Sequence, residues 1–252
     1  MIPHLLKQQD TVPGFGFIGA RLPENTAEIE TPDLVNVMLA RIDIIKRTRP
    51  MRIWAQRKGH HTLIHYDGNS LHGLNWQVNG SKQWTLISPD TPPRFYPFST
   101  FAMTRENFLP DARKHNFCQF QTTPGDLLFL PRYWSHSVTS LERRNTNLNW
   151  VWTPRTPNLK VAVGRRECAV LAWRNLIPGL SRLLYQPASI HNYGGGGEEL
   201  FQSYSGAVGR SDLMRCLVVE LLNVALLPFY HRIIIRQAER FAKSSISTLD
   251  DM

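Results

Sequence analysis

His65 and Asp67 stand two residues apart in His65-Tyr66-Asp67, and His136 follows far downstream, beyond Pro124-Gly125-Asp126. Two imidazoles and one carboxylate form a donor set suited to non-haem Fe(II), held on one face with the opposite face open to reactants. A β-strand puts residues i and i+2 on the same side, roughly 6.5–7 Å apart at the Cα atoms. Side chains at 65 and 67 then converge on one ion without distorting the backbone. A histidine-x-aspartate pair is a common accident on polar strands, so its weight comes from the segments around it.

The first such segment is Trp76-Gln77-Val78-Asn79-Gly80-Ser81-Lys82-Gln83-Trp84. Asn-Gly between two alternating apolar/polar runs signals a β-hairpin closed by a two-residue turn. That register predicts Val78 opposite Ser81, Gln77 opposite Lys82 and Asn75 opposite Trp84. Asn75, Gln77, Lys82 and Trp84 then share one face, and Trp76, Val78 and Gln83 the other. A cation and an amide on an aromatic wall suit an anionic ligand. The second segment is Thr123-Pro124-Gly125-Asp126-Leu127-Leu128-Phe129-Leu130-Pro131. Pro-Gly fits the centre of a type II turn, whose second central residue needs φ > 0. A short apolar strand follows and stops at Pro131. After Arg132–Ser135, His136 opens an alternating strand to Leu141, and a last strand, Asn147–Trp152, alternates amide and apolar side chains.

With these segments in order, the region from about Arg52 to Trp152, about 100 of 252 residues, resembles the JmjC and JmjC-like cupin oxygenases. Those proteins use Fe(II) and 2-oxoglutarate on a double-stranded β-helix. The resemblance implies a mainly β, jelly-roll fold with an N-terminal helix and a C-terminal helical extension. It makes His65, Asp67 and His136 the iron ligands and catalytic centre, and matches Lys82 to the lysine that binds the distal carboxylate of 2-oxoglutarate. Thr62 matches a threonine on the same carboxylate, Asn75 a cosubstrate-binding asparagine, Trp84 the aromatic after the lysine, and Asn149 a late-strand asparagine lining the pocket. With Trp54 these residues form the candidate cosubstrate-binding set. Strict alternation puts Thr62 and His65 on opposite faces, so the role of Thr62 requires a bulge between them. The loop Gly68–Gly73 is about two residues longer than in the asparaginyl-hydroxylase branch.

The function so implied is that of a 2-oxoglutarate-dependent dioxygenase. It hydroxylates a C–H bond of a polypeptide or amino-acid-type substrate, with release of succinate and CO2. N-demethylation, desaturation and epoxidation are variants of that outcome. Two other classes stand beside it. One is a non-catalytic JmjC-like binding module, against which the intact ligand set and Lys82 argue. The other is a Zn or Mn cupin working without 2-oxoglutarate, which leaves Lys82 and Asn75 without a role. Among the remaining histidines, His60 and His61 precede the motif but point oppositely on a strand, and His72 lies on the lengthened loop.

Composition agrees with an ordinary globular chain: 42% hydrophobic and 19% charged residues over 252, enough for one sizeable core with an appended piece. Cys118, Cys168 and Cys216 are scattered and odd in number, which argues against a disulfide framework. No signal peptide is read at the start, so a reducing, cytoplasmic location is expected, compatible with Fe(II). The net charge of +9 is shared between the two halves. Its densest run, Arg41 to Lys58, reads first as a solvated face and second as a contact for an acidic partner; nucleic acid is possible but not favoured, since Trp54 is the one aromatic there.

Three regions follow: residues 1–50, a segment and helix packing on the barrel; 51–155, the catalytic core; and 156–252, a helical region for dimerisation or substrate recognition. Thr31-Pro32-Asp33 is a helix start, with a buried stripe of Leu34, Val37, Met38, Arg41, Ile42 and Ile45 ending before Pro50. Strands are expected over Met51–Ser88 and Asp126–Trp152. Between them, 89–122 lacks clear period apart from a helical turn near Arg105–Phe108, and its Phe95, Tyr96, Phe98 and Phe101 either line a cleft or pack beneath a long loop. Helices are expected over Glu167–Leu176, Leu180–Tyr185, Asp212–Leu227 and Tyr230–Ala242, with Gly194–Gly197 as a flexible joint. The apolar Leu217–Phe229 run is too short to span a membrane and reads as a buried or homodimer-forming helix.

Overall fold

A computed structural model describes residues 17–21, 33, 37, 44–45, 51–98, 100–103, 116–176 and 197–226. Ten strands are defined: β1 (Phe17–Arg21), β2 (Ile44–Ile45), β3 (Met51–Gln56), β4 (His61–Tyr66), β5 (His72–Asn79), β6 (Lys82–Ile87), β7 (Phe117–Thr122), β8 (Leu127–Leu130), β9 (Ser135–Ser140) and β10 (Asn145–Pro154). They form two antiparallel sheets, one in the order β1-β3-β10-β5-β8 with β2 on β10, the other β4-β9-β6-β7. This is the expected mainly β jelly-roll. Helices α1 (Ala162–Leu176), α2 (Gly197–Val208) and α3 (210–226) follow.

The two sheets face each other through alternate residues of every strand. In the larger sheet, the register sets Trp54 beside Asn147 and Arg52 beside Asn149, with Asn147 opposite Gln77 and Asn149 opposite Asn75. In the smaller, Lys82 lies between Thr122 and Ser140, and Trp84 between Phe120 and Val138. Leu130, from the larger sheet, packs with Trp84, Leu86 and Val138 across the interior. A separate apolar cluster joins α1, α2 and α3 through Leu171, Trp173, Tyr204, Leu213 and Leu217, with Phe98 reaching into it.

Several expectations change. β5 and β6 do not pair with each other: they belong to opposite sheets, and Asn79-Gly80 is a corner between them. Gly80 has φ +70°, and a Cβ there would lie 2.3 Å from the Arg144 carbonyl oxygen, so the corner requires glycine for two reasons. The division of faces survives, because Asn75, Gln77, Lys82 and Trp84 are all buried and face one another from the two sheets. β7 replaces part of the segment read as irregular; as an edge strand it buries Thr122 alone and so shows no apolar alternation. Ile44–Ile45 is strand, paired with Thr153 and Pro154, which stops the N-terminal helix well before Pro50, and Val37 is 47% exposed rather than part of a buried stripe. α1 starts five residues early, and α2 was not expected. The sites near Arg105–Phe108, Leu180–Tyr185 and Tyr230–Ala242 lie outside the described residues.

The Pro124-Gly125 turn forms as expected, with Gly125 at φ +99° and Asp126 N–H donating to the Thr123 carbonyl at 3.0 Å. The Asp126 carboxylate accepts from Thr123 N and Oγ1, which holds its pKa below the usual carboxylate range. It caps the turn. All three cysteines are free, and among the described residues no helix is long and apolar enough to cross a membrane.

Candidate metal centre and cosubstrate pocket

β4 and β9 are adjacent strands, and their register brings His65 directly opposite His136. The imidazole centroids are 4.3 Å apart, and His65 Nε2 lies 3.9 Å from Asp67 Oδ1. One ligand atom from each of His65, Asp67 and His136 falls within 4.8 Å of the other two. Each histidine turns its Nδ1 to the carbonyl two residues earlier: His65 to Leu63 at 2.7 Å and His136 to Trp134 at 3.3 Å. A protonated Nδ1 donating to a carbonyl fixes the tautomer and leaves Nε2 as a lone-pair donor, the usual preparation of a metal-binding imidazole. Phe101 bridges to His65 along the backbone and stacks on its ring at 5.3 Å.

The bulge required for Thr62 is present. β4–β9 pairing runs from Thr62 opposite Val138 to His65 opposite His136, with a register shift between. The extra residue restores Thr62 to the inner face that His65 also occupies.

Lys82 is 2% exposed, and its ammonium donates to Asn147 Oδ1 on the facing sheet. Among the described residues it makes no ion pair, and burial pushes its pKa down to about 7. The Asn147 amide donates to Asn75 Oδ1 at 3.3 Å, and the Asn149 amide donates to the same oxygen at 2.7 Å. Asn75 Nδ2 and Asn149 Oδ1 are buried without a partner. A buried amine lacking a countercharge and two unmatched amide atoms cost free energy unless a polar ligand meets them. Trp84 forms part of the wall, its indole N–H tied to Thr122 Oγ1 at 2.9 Å and its ring 6.0 Å from His136. The donor set therefore fits a divalent metal, and the buried amine with the unmatched amide atoms fits an anionic or polar group.

Other candidates separate from this centre. His72 packs against both Phe129 and Trp152, with the three ring centroids 5.6–6.0 Å apart, its Nδ1 accepts from Arg132 N–H, and burial lowers its pKa to about 4. It is a neutral packing residue, not a ligand. His61 pairs with Thr139 Oγ1 at 2.8 Å, and neither it nor His60 joins the cluster. The four aromatics of the 89–122 segment divide: Phe95 and Phe98 pack in separate cores, Tyr96 is exposed, and Phe101 stacks on His65. The sequence places Asn147 on the last strand without giving it a role, although its i−2 relation to Asn149 puts both amides on one face.

The chain matches the family model described as a cupin-like domain over residues 7–158. Among curated proteins it is similar to HSPB1-associated protein 1 of Rattus norvegicus, 32% identical over 114 residues, covering 39% of this chain and 23% of that one. The Homo sapiens protein of the same name is 30% identical over 112 residues, with the same coverage. It is also similar to arginine-specific demethylase JMJ20 of Arabidopsis thaliana, 26% identical over 111 residues, covering 38% of this chain and 24% of that one. The chain thus spans about a quarter of the length of these relatives. An oxalate decarboxylase structure from Lactobacillus farciminis aligns at 13% identity and a TM-score of 0.28, over 41% of this chain and 23% of that chain.

Proposed function

The chain belongs to the cupin-like domain family, and from that premise we propose that it is an Fe(II)- and 2-oxoglutarate-dependent oxygenase. Its substrate is a C–H bond in a polypeptide or amino-acid side chain. The observation that carries this reading is a single inner wall holding both the His65–Asp67–His136 cluster and a buried lysine that makes no ion pair among the described residues.

His65 Nε2, His136 Nε2 and an Asp67 oxygen would hold the iron, which when bound supplies O2 activation coupled to decarboxylation of 2-oxoglutarate. The remaining work falls to this chain's own groups. Lys82 offers one positive charge to the far carboxylate of the cosubstrate, a charge-assisted bond in a dry pocket contributing on the order of 1.5–3 kcal/mol. Thr62 shares the inner face and can add a hydroxyl donor to that carboxylate. Asn147 holds the Lys82 ammonium from the opposite sheet. The unmatched Asn75 and Asn149 amide atoms supply a donor and an acceptor to the same pocket, with Trp54 beside Asn147 on that wall. Trp84, buried with its ring 6.0 Å from His136, would form one side of that wall.

A polypeptide substrate draws on the names of two relatives, one a protein associated with HSPB1 and the other an arginine-specific demethylase. The second keeps N-demethylation, through an unstable hydroxymethyl product, as a variant of the same hydroxylation. The test is succinate release from 2-oxoglutarate by iron-loaded chain, with peptide pools that do and do not carry methylated arginine. Peptide-stimulated succinate that disappears in Asp67→Ala supports the reading; equal succinate from Asp67→Ala and wild type overturns it.

A further inference from the structure

The turn after Asp67 is built against its own preferences. Asn69 and Ser70 are consecutive non-glycine residues in the left-handed region, at φ 63° and 52°, where Cβ crowds the backbone. Such a turn persists only when the surroundings tie it down. The ties are visible. Asn69 N–H donates to Glu167 Oε1, and the Asn69 carbonyl accepts from Thr153 Oγ1 at 3.1 Å. The Ser70 hydroxyl meets Tyr133 OH at 2.9 Å. Before the turn, Tyr66 N–H donates to the Thr100 carbonyl at 3.1 Å.

Glu167 is 1% exposed, and from α1 it holds the backbone of Asn69, two residues after Asp67. It projects from α1, beyond the 7–158 stretch that matches the cupin-like family. α1 is itself pinned: the neighbouring Arg166 pairs with Glu220 of α3 at 2.6 Å, and Glu220 also accepts from Phe98 N–H at 3.0 Å. The helical region is therefore fastened to the loop that carries a ligand.

We infer that Glu167 is a positioning residue for the metal centre: its carboxylate clamps the turn that follows Asp67 and so aims the Asp67 side chain at the ion. This rests on the metal-centre reading above. It gives the C-terminal helices a role in the site, since removing the clamp lets the left-handed turn relax and swings the ligand carboxylate.

The test is Co(II) titration of the full chain, following the visible d–d bands, for wild type, Glu167→Ala, Glu167→Gln, Thr153→Val and Glu220→Gln. Removing a group that orients a ligand from outside typically lowers metal affinity 10- to 100-fold. Glu167→Ala should lose about tenfold in affinity and change the band shape. Glu167→Gln, whose amide oxygen still accepts from Asn69, should stay within about threefold. Thr153→Val loosens the same turn without touching α1, and should weaken binding severalfold even if Glu167→Ala fails to fold. Glu220→Gln loosens the helices but not the turn, and should keep the wild-type spectrum. Folded Glu167→Ala or Thr153→Val with wild-type affinity and bands overturns the inference, as does an equal loss in Glu220→Gln. Wild type that binds no Co(II) overturns the metal-centre reading and this inference with it.

Discussion

Replacing Lys82 with methionine should make the chain more stable near neutral pH while removing the charge its pocket offers. Burial holds the Lys82 pKa down to about 7 from 10.5. Each pKa unit is worth about 1.36 kcal/mol, so keeping this amine inside costs up to about 4–5 kcal/mol below its folded pKa. The sign follows from proton counting. Between about pH 7 and 10.5 the unfolded chain binds the proton and the folded chain does not, so wild-type stability rises with pH through that window. Methionine has similar reach and no proton to lose. The variant's advantage should thus be largest at and below about pH 7, and should shrink by about 2–3 kcal/mol between about pH 7.5 and pH 9.5. The lost bond to Asn147 offsets about 1 kcal/mol of the advantage at every pH. Urea unfolding followed by tryptophan fluorescence across that range measures the difference, and contributions from all other groups cancel between the two chains. A difference that stays flat with pH, or a variant less stable at every pH, refutes the reasoning that burial holds the Lys82 pKa down to about 7.

Two glycines separate crowding from backbone strain. Gly80→Ala meets the Arg144 carbonyl at 2.3 Å on top of φ +70° and should cost several kcal/mol in thermal or urea unfolding, whereas Gly125→Ala, at φ +99° with nothing within 4 Å, should cost only about 1–2 kcal/mol. His72→Phe should leave Co(II) affinity unchanged. Because the folded pKa of His72 is lowered to about 4, its contribution is present above about pH 6.5 and lost as pH falls toward 4. The phenylalanine variant should therefore lack up to about 3 kcal/mol of the wild type's acid sensitivity in unfolding experiments. Asn147→Leu should raise the 2-oxoglutarate concentration for half-saturation about tenfold, the loss of one oriented charged bond, with Fe(II) affinity within error of wild type.

What could be read from the chain was what depends on local geometry. The His65/Asp67 spacing and the Pro124-Gly125 turn are set by strand pitch and by φ preferences, and both appear where expected. The need for a bulge after Thr62 followed from strand alternation together with the role the family resemblance implied for Thr62, and the register shift between Thr62 and His65 meets it. The Asn79-Gly80 turn was recognised but misassigned, because local residues show that the chain reverses and not which distant strands receive it; β10 and β8, far downstream, take the edges of β5. β7 escaped because an edge strand need not alternate, and α2 because Gly197 and Gly206 dilute its helical signal. Glu167 had no local mark at all: its partner Asn69 is 98 residues away, and only the packing of α1 brings them together.

An anaerobic titration of the apoprotein with Fe(II) and then 2-oxoglutarate, watched in the visible region, tests the proposed oxygenase site most directly. A chelated 2-oxoacid on Fe(II) gives a metal-to-ligand charge-transfer band. The band should appear in wild type, vanish in Asp67→Ala, and require far more 2-oxoglutarate in Lys82→Ala. Metal demonstrably bound with no band in wild type, or a band indifferent to both substitutions, contradicts the assignment of His65, Asp67, His136 and Lys82 to one Fe(II)/2-oxoglutarate centre.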